Sequence, residues 1–369
     1  MASTSEEARA ATAYMRERLS KQGKPSFLPP YKIPIIDLSP SFSQSLSSRK
    51  AVAAQIHSAC TTTGFFYITH HSIPQSTLFN TLSLASRFFD ILSPAQKDAI
   101  HMKNSSLHRG YEPASYTTIA GDAETKEGFN WGYEASLDPS GGDGRYIELD
   151  GSTRTDANLW PSEEDLPGFK DGIKEYYGAV LQLARHLFRL FALSLDLDES
   201  YFDEVMTHPG GIARLLKYPS AAAKNGVNDA GGEVEEVGLG AHTDYECFTL
   251  LLSSSTPGLE ILSPSNTWIR AEPVPDSFIV NVADFLMRWT NGVYKSTIHR
   301  VVNRSQEERY SVPFFFSINY DAMVETLPTC VSDNNPAKFA PIKAGEYILE
   351  RLNDATADGE NGYGSAPKS

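Results

Sequence analysis

His242 and Asp244 stand two residues apart in GLGAHTDYECFTLLL, and His299 follows in STIHRVVN. Two imidazoles and one carboxylate are the ligand set of a facial triad, which holds Fe(II) on one face and leaves the other positions open for reaction. Zinc is the metallic rival, because two histidines and a carboxylate also build catalytic zinc sites. Those sites usually bring a glutamate base in an HExxH helix, and no HExxH occurs in this chain. Past His299 come Arg309 and Ser311, a guanidinium and a hydroxyl at strand spacing that suit a carboxylate held beside the metal. Taken singly, each residue has an ordinary reading: a packed histidine, a surface ion pair, a polar strand position. Their joint order in a β-rich half favours a metal centre.

The elements that must position these groups are legible as patterns. Side chains at i and i+2 on a strand share a face, so His242 and Asp244 are expected to point together into a barrel mouth with Thr243 turned away. His299 must then come from another strand. After residue 210 short apolar runs alternate with turns (GGIARLLKYP, GLEILSP, SFIVNVADFL, STIHRVVN, RYSVPFFFSINY), the pattern of a β-sandwich or jelly roll. Before it, helices are expected near 48–61, 75–100 and 167–195, the last with Leu181, Ala184, Leu187, Phe188 and Phe191 on one packed face. Residues 33–40 and 64–74 read as strands. Residues 104–165, rich in Gly, Asp, Ser and Tyr, read as irregular substrate-binding loops, and 221–236 as a mobile hairpin or loop.

The chain resembles the isopenicillin N synthase-like branch of the 2-oxoglutarate/Fe(II)-dependent dioxygenases. The resemblance rests on IPIIDLS (33–39), GFFYITHHSIP (64–74), ARLLKYP (213–219), HTDYECFTLLL (242–252), NVAD through RWTNGVYKSTIHRVVN (281–303) and RYSVPFFF (309–316). It implies an α+β fold: a double-stranded β-helix, a cupin-like jelly roll, wrapped by helices, with a mixed helical N-terminal region. It implies that His242, Asp244 and His299 bind iron and form the catalytic centre. Arg309 and Ser311 would bind the far carboxylate of 2-oxoglutarate, assisted by Tyr218. Ala283 departs from the Gly common in the NxGD turn, and Leu216 from the Asn of RxNxYP. The implied reaction consumes O₂, splits 2-oxoglutarate to succinate and CO₂, and hydroxylates, desaturates or cyclises a small organic molecule, as in specialised metabolism. Ascorbate is the expected reductant in vitro. Two other readings stay open: a same-fold iron oxidase of the isopenicillin N synthase or ethylene-forming type, in which the RxS pair holds substrate carboxylate, and a catalytically silent small-molecule receptor.

An aromatic cavity with a few polar groups suits such a substrate. Candidate lining residues are Arg109, Tyr111, Phe129, Trp131 and Tyr133 from the irregular segment, and Met287, Trp289, Phe316 and Tyr320 from the β-rich half. The expected organisation is a polar extension (1–32), an N-terminal dioxygenase region (33–165), a long scaffold helix (166–207), the jelly-roll core (208–325) and a C-terminal helix and tail (326–369). With 32 Lys and Arg against 46 Asp and Glu, the net charge of −14 argues against a nucleic-acid surface. The three cysteines, Cys60, Cys247 and Cys330, show no CxxC spacing and fit free thiols in a reducing compartment. No apolar run reaches membrane-spanning length, and no signal segment or obligate protein partner is evident, so a cytoplasmic enzyme is expected.

Overall fold

The computed structural model describes residues 13–22 and 32–357, apart from 106, 117, 120–121, 154–157 and 222–235. Most of the expected N-terminal extension, the 221–236 loop and the C-terminal tail lie outside the described residues; within the extension, 13–20 form a helix, α1. In chain order come β1 (Ile35–Asp37), α2 (Leu46–Thr62), β2 (Phe65–Thr69), α3 (Gln75–Ile91), α4 (Pro94–Ala99) and β3 (Gly110–Glu112). A ribbon of β4 (Thr118–Ile119) and β5 (Asp122–Ala123) precedes β6 (Glu127–Gly132) and the long helix α5 (Phe169–Ser194). The β-rich half holds β7 (Gly211–Tyr218), β8 (Glu236–His242), β9 (Phe248–Ser253), β10 (Leu259–Leu262), β11 (Trp268–Arg270) and β12 (Ser277–Val282). It continues through α6 (Asp284–Trp289), β13 (His299–Asn303), β14 (Arg309–Phe316), β15 (Met323–Val324), β16 (Ile342–Lys343) and α7 (Ala344–Ala357).

Two sheets form the jelly-roll core. The larger runs β1-β2-β12-β9-β14-β7-β6-β3 and the smaller β11-β10-β13-β8. Helices α2, α3 and α5 cover the outer face of the larger sheet, and α5 packs its apolar stripe (Ile173, Val180, Leu181, Ala184, Leu187, Phe188, Phe191) into the main core. Each Ile, Val, Leu or Phe of that stripe, when fully buried, contributes about 1.5–3 kcal/mol. A second cluster, including Phe65, Tyr67, Leu216, Tyr218, Ile261, Ile279 and Val301, fills the space between the sheets.

Three expectations change in the structure. The helix expected over 75–100 is two helices, because Ser93 and Gln96 form a capping box and Pro94 opens a new first turn. The irregular segment contributes β3 and β6 to the larger sheet, where β6 pairs with β7 from Glu127↔Lys217 to Gly132↔Ile212. The run SFIVNVADFL stops as a strand at Val282 and turns into α6.

Candidate active site

His242 ends β8 and His299 begins β13, and the two are directly opposed in the antiparallel register. Asp244 does not lie on the strand. It sits in the loop between β8 and β9, because the ladder stops at the His242↔His299 pair. The three ligand atoms nevertheless converge. Both imidazole Nε2 atoms lie 3.5 Å from Asp244 Oδ1, and one donor atom from each residue falls within 4.8 Å of the others.

The hydrogen bonds aim these atoms. His242 Nδ1 meets the Gly240 carbonyl at 2.8 Å and His299 Nδ1 meets the Thr297 carbonyl at 3.1 Å. A carbonyl only accepts, so each Nδ1 carries a proton, which leaves Nε2 as the nitrogen that can bind a metal once it is unprotonated. Asp244 Oδ2 accepts from the Thr249 hydroxyl and from Asn281 Nδ2 at 2.7 Å, which leaves Oδ1 facing the imidazoles. Thr249 and Asn281 thus position the carboxylate, and neither was singled out from the sequence. The signal was present in strand parity, since Asn281 lies in the NVAD run on an alternating strand. Burial works against ionisation of Asp244, but the imidazoles of His299 and His242 hold its carboxyl well below the usual carboxylate range. Burial pulls the His299 imidazole down, and Asp244 more than offsets it, leaving His299 raised. With Nε2 of both rings unprotonated, two imidazole nitrogens and one carboxylate oxygen, each fixed from behind, fit a ferrous ion with open coordination positions.

Arg309 opens β14 and lies between the sheets with 1% exposure. Its Nη1 donates to Ser311 Oγ at 3.2 Å and its Nη2 to Ser253 Oγ at 3.1 Å, while Nε has no hydrogen-bond partner. The guanidinium stacks 4.9 Å from the ring of Tyr218, its register partner on β7. Glycines make the room: a Cβ on Gly258 would lie 2.9 Å from Arg309 Cδ, and one on Gly238 would lie 2.4 Å from the Tyr218 ring. Among the described residues no carboxylate pairs with Arg309. Burial pulls the guanidinium below its ordinary value, with Tyr218 acting in the opposite direction. A buried cation without a counter-ion is costly, and an organic carboxylate entering here supplies one.

The pocket candidates divide. Phe129 and Trp131 alternate on β6 with Gly128, Asn130 and Gly132, and their rings face the helices: Phe129 lies 4.7 Å from Phe88 and 5.7 Å from Phe169, and Trp131 stacks on Phe129. Tyr111, paired with Phe129 across β3, shares that outer face and donates to Glu127 at 2.7 Å. Phe316 packs on Phe248 and Phe188, and Trp289 on Phe202 and Phe188. These five residues belong to the helix-facing core rather than to a substrate wall, because strand parity or the α5 contact turns them outward. Tyr133 is buried against Tyr146 and donates to Asp138. Met287 is half-buried on α6.

Arg109 and Tyr320 lie nearer the ligand loop. The Tyr320 hydroxyl donates to Glu246 Oε1 at 3.0 Å, two residues beyond Asp244. Arg109 stacks over Gly132, reaches the Tyr146 hydroxyl at 3.4 Å and faces Glu148 only at 3.9 Å, with Nη1 unpartnered. Burial pushes Glu246 up to about 7. Cys60, Cys247 and Cys330 are free and buried. Among the described residues no helix is long and apolar enough to cross a membrane.

Comparison with known proteins agrees with this geometry. The 2OG-Fe(II) oxygenase superfamily profile matches residues 213–318, and the profile described as non-haem dioxygenase in morphine synthesis N-terminal matches 33–163. A 2-oxoglutarate-Fe(II) type oxidoreductase of Metarhizium majus is 36% identical, over 88% of this chain and 87% of the relative. One from Emericella nidulans is 37% identical, over 85% of this chain and 88% of the relative. Among solved structures, a full-length Neurospora crassa protein in complex with alpha-KG and thymine superposes with a TM-score of 0.73 at 26% identity, covering 87% of this chain and 96% of that one.

Proposed function

Because the chain belongs to the 2-oxoglutarate/Fe(II) oxygenase superfamily, we propose that His242, Asp244 and His299 hold its iron and that Arg309 and Ser311 anchor its co-substrate, with Tyr218 beneath. The protein is a non-haem Fe(II), 2-oxoglutarate-dependent dioxygenase that oxidises a small organic molecule and releases succinate and CO₂. Bound iron and O₂ supply the oxidising chemistry. The chain's own residues bind, orient and exclude water.

The observation that carries the co-substrate assignment is Arg309, fully buried and without a carboxylate partner among the described residues. A dicarboxylate whose other end reaches the triad neutralises that charge through forked hydrogen bonds. The finer placement is the isopenicillin N synthase-like branch, with the two sheets forming a double-stranded β-helix. The motif order HxD…H…RxS and the opposed sheets support it. On the substrate side we assign Arg109 a contact with the prime substrate, since its Nη1 is buried and unpartnered beside the ligand loop's Glu246 and Tyr320. The enzyme is placed in the cytoplasm, in specialised metabolism.

The test is succinate release by the purified protein with Fe(II), ascorbate and 2-oxoglutarate. Slow substrate-independent turnover is expected. Bound iron without succinate, whatever substrate is added, would instead point to the same-fold oxidase.

A further inference from the structure

Neither matched family region extends beyond residue 318, yet the C-terminal helix α7 sends one side chain to the loop that carries the carboxylate ligand. That loop, 243–247, lies between the end of β8 and the start of β9, and its last residue is tied to β14 by Cys247 N donating to Phe316 O at 2.9 Å. It is held from one side by α6, whose first amides cap its carbonyls: Asp284 N donates to Asp244 O at 2.9 Å and Phe285 N to Glu246 O at 3.2 Å. Arg351 of α7, with 6% exposure, reaches the same place. Its Nη2 donates to Asp284 Oδ2 at 2.7 Å, and the same oxygen accepts from Thr243 Oγ1 at 3.0 Å. Its guanidinium also lies 4.7 Å over the ring of Tyr245. Thr243 and Tyr245 are the two neighbours of Asp244. Arg351 therefore grips the ligand loop on both sides of the ligand, through Asp284 on one and directly on the other.

We propose that α7 is part of the metal centre, with Arg351 a positioning residue that fixes the backbone of Asp244 through Asp284–Thr243 and through Tyr245. Docking of the C-terminal helix then sets the affinity for Fe(II). The Asp244 carboxylate is aimed by Thr249 and Asn281, whereas Arg351 acts on where its main chain sits. Outer partners that orient a metal ligand change metal affinity by about 10–100-fold when removed. The helix has anchors of its own. Tyr347 packs 5.2 Å from Phe285, Gly345 N donates to Tyr320 O at 2.8 Å, and Ala344 N to Ala322 O at 3.0 Å. Loss of Arg351 therefore leaves α7 other contacts to dock by.

This inference rests on the triad binding iron, and the experiment separates the two. Metal-free full-length protein is titrated anaerobically with Fe(II) by calorimetry, with circular dichroism and thermal unfolding recorded on each sample. If the parent chain binds no Fe(II), the metal reading itself fails. If it binds, Arg351→Met is expected to weaken Fe(II) about 10–100-fold, and Arg351→Lys to recover part of that loss. Leu84→Ala, a core change on α3 far from the ligand loop, is expected to lower the unfolding temperature without changing Fe(II) affinity. Parent-like affinity in folded Arg351→Met overturns the proposal. Should that variant fail to fold, Thr243→Val decides: it cuts the same link with a near-isosteric side chain, weaker Fe(II) binding supports the proposal, and parent-like affinity overturns it.

Discussion

Replacing Arg309 with leucine separates the cost of a buried cation from its use. In the co-substrate-free protein the guanidinium is 1% exposed, has serine hydroxyls as partners and leaves Nε without one. Substituting an apolar group for an uncompensated buried charge is often neutral or stabilising, so the unfolding temperature of the metal-loaded protein without 2-oxoglutarate is expected to hold or rise. Binding responds in the opposite direction. A hydrogen bond to a charged group contributes about 1.5–3 kcal/mol, and two forked bonds to one carboxylate about 3–6 kcal/mol. At about 1.4 kcal/mol per tenfold, 2-oxoglutarate should bind Arg309→Leu at least about 100-fold more weakly. The thermal readout follows by mass action: co-substrate at about 100 times its Kd stabilises the parent by about 2.7 kcal/mol, and the same concentration stabilises a 100-fold weaker variant by about 0.4 kcal/mol. Thermal unfolding with and without 2-oxoglutarate, beside an Fe(II) titration that should not change, measures all three quantities. An unchanged co-substrate shift in Arg309→Leu would refute the anchoring role. A large destabilisation of the co-substrate-free protein would refute the claim that the buried charge is uncompensated.

Fe(II) binding should release protons. His299 is raised in the metal-free fold, so its protonated form contributes stability that is complete below the unfolded value near 6.5 and is lost as pH rises through the folded value. Metal affinity must climb over that same interval, and calorimetry near pH 7 in two buffers of different ionisation enthalpy should detect the proton; zero release excludes a protonated His299 there. Phe316→Ala should cost about 3–5 kcal/mol in denaturant unfolding while leaving the substrate profile intact, and an altered profile would return Phe316 to the pocket. Arg109→Met should raise the substrate concentration needed for half-maximal turnover without changing substrate-independent succinate release; a parallel fall in both rates would assign Arg109 to the fold.

The convergence of His242, Asp244 and His299 and their order along the chain were legible because the chemistry demands particular residue types at positions that strand geometry restricts. The jelly roll was legible after residue 210, where apolar runs and turns alternate. Other features were hidden for physical reasons. β6 reads as loop because its inward positions are Gly128, Asn130 and Gly132, so its residues look like turn formers although Phe129 and Trp131 anchor it outward. Asp244 obeys the i, i+2 spacing yet leaves the strand, since no pattern marks where a ladder ends. The placement of Phe316 was recoverable. It has opposite parity to Arg309 and Ser311 on β14, so if those two face the site, it cannot. Arg351 and Asp284 are far apart in sequence, and only the folded chain brings them to the two neighbours of Asp244.

The imidazoles of His242 and His299 are both oriented through Nδ1 by main-chain oxygens, at Gly240 and Thr297. A peptide carbonyl cannot be substituted away, so point mutation has little purchase on the electron-donating strength of either ring. If the proposed triad holds the iron, adjustment of its electronic character would fall to Asp244, whose outer oxygen is gripped by one hydroxyl and one amide. Substitution at Thr249 or Asn281 would therefore reach the carboxylate without touching the histidine strands.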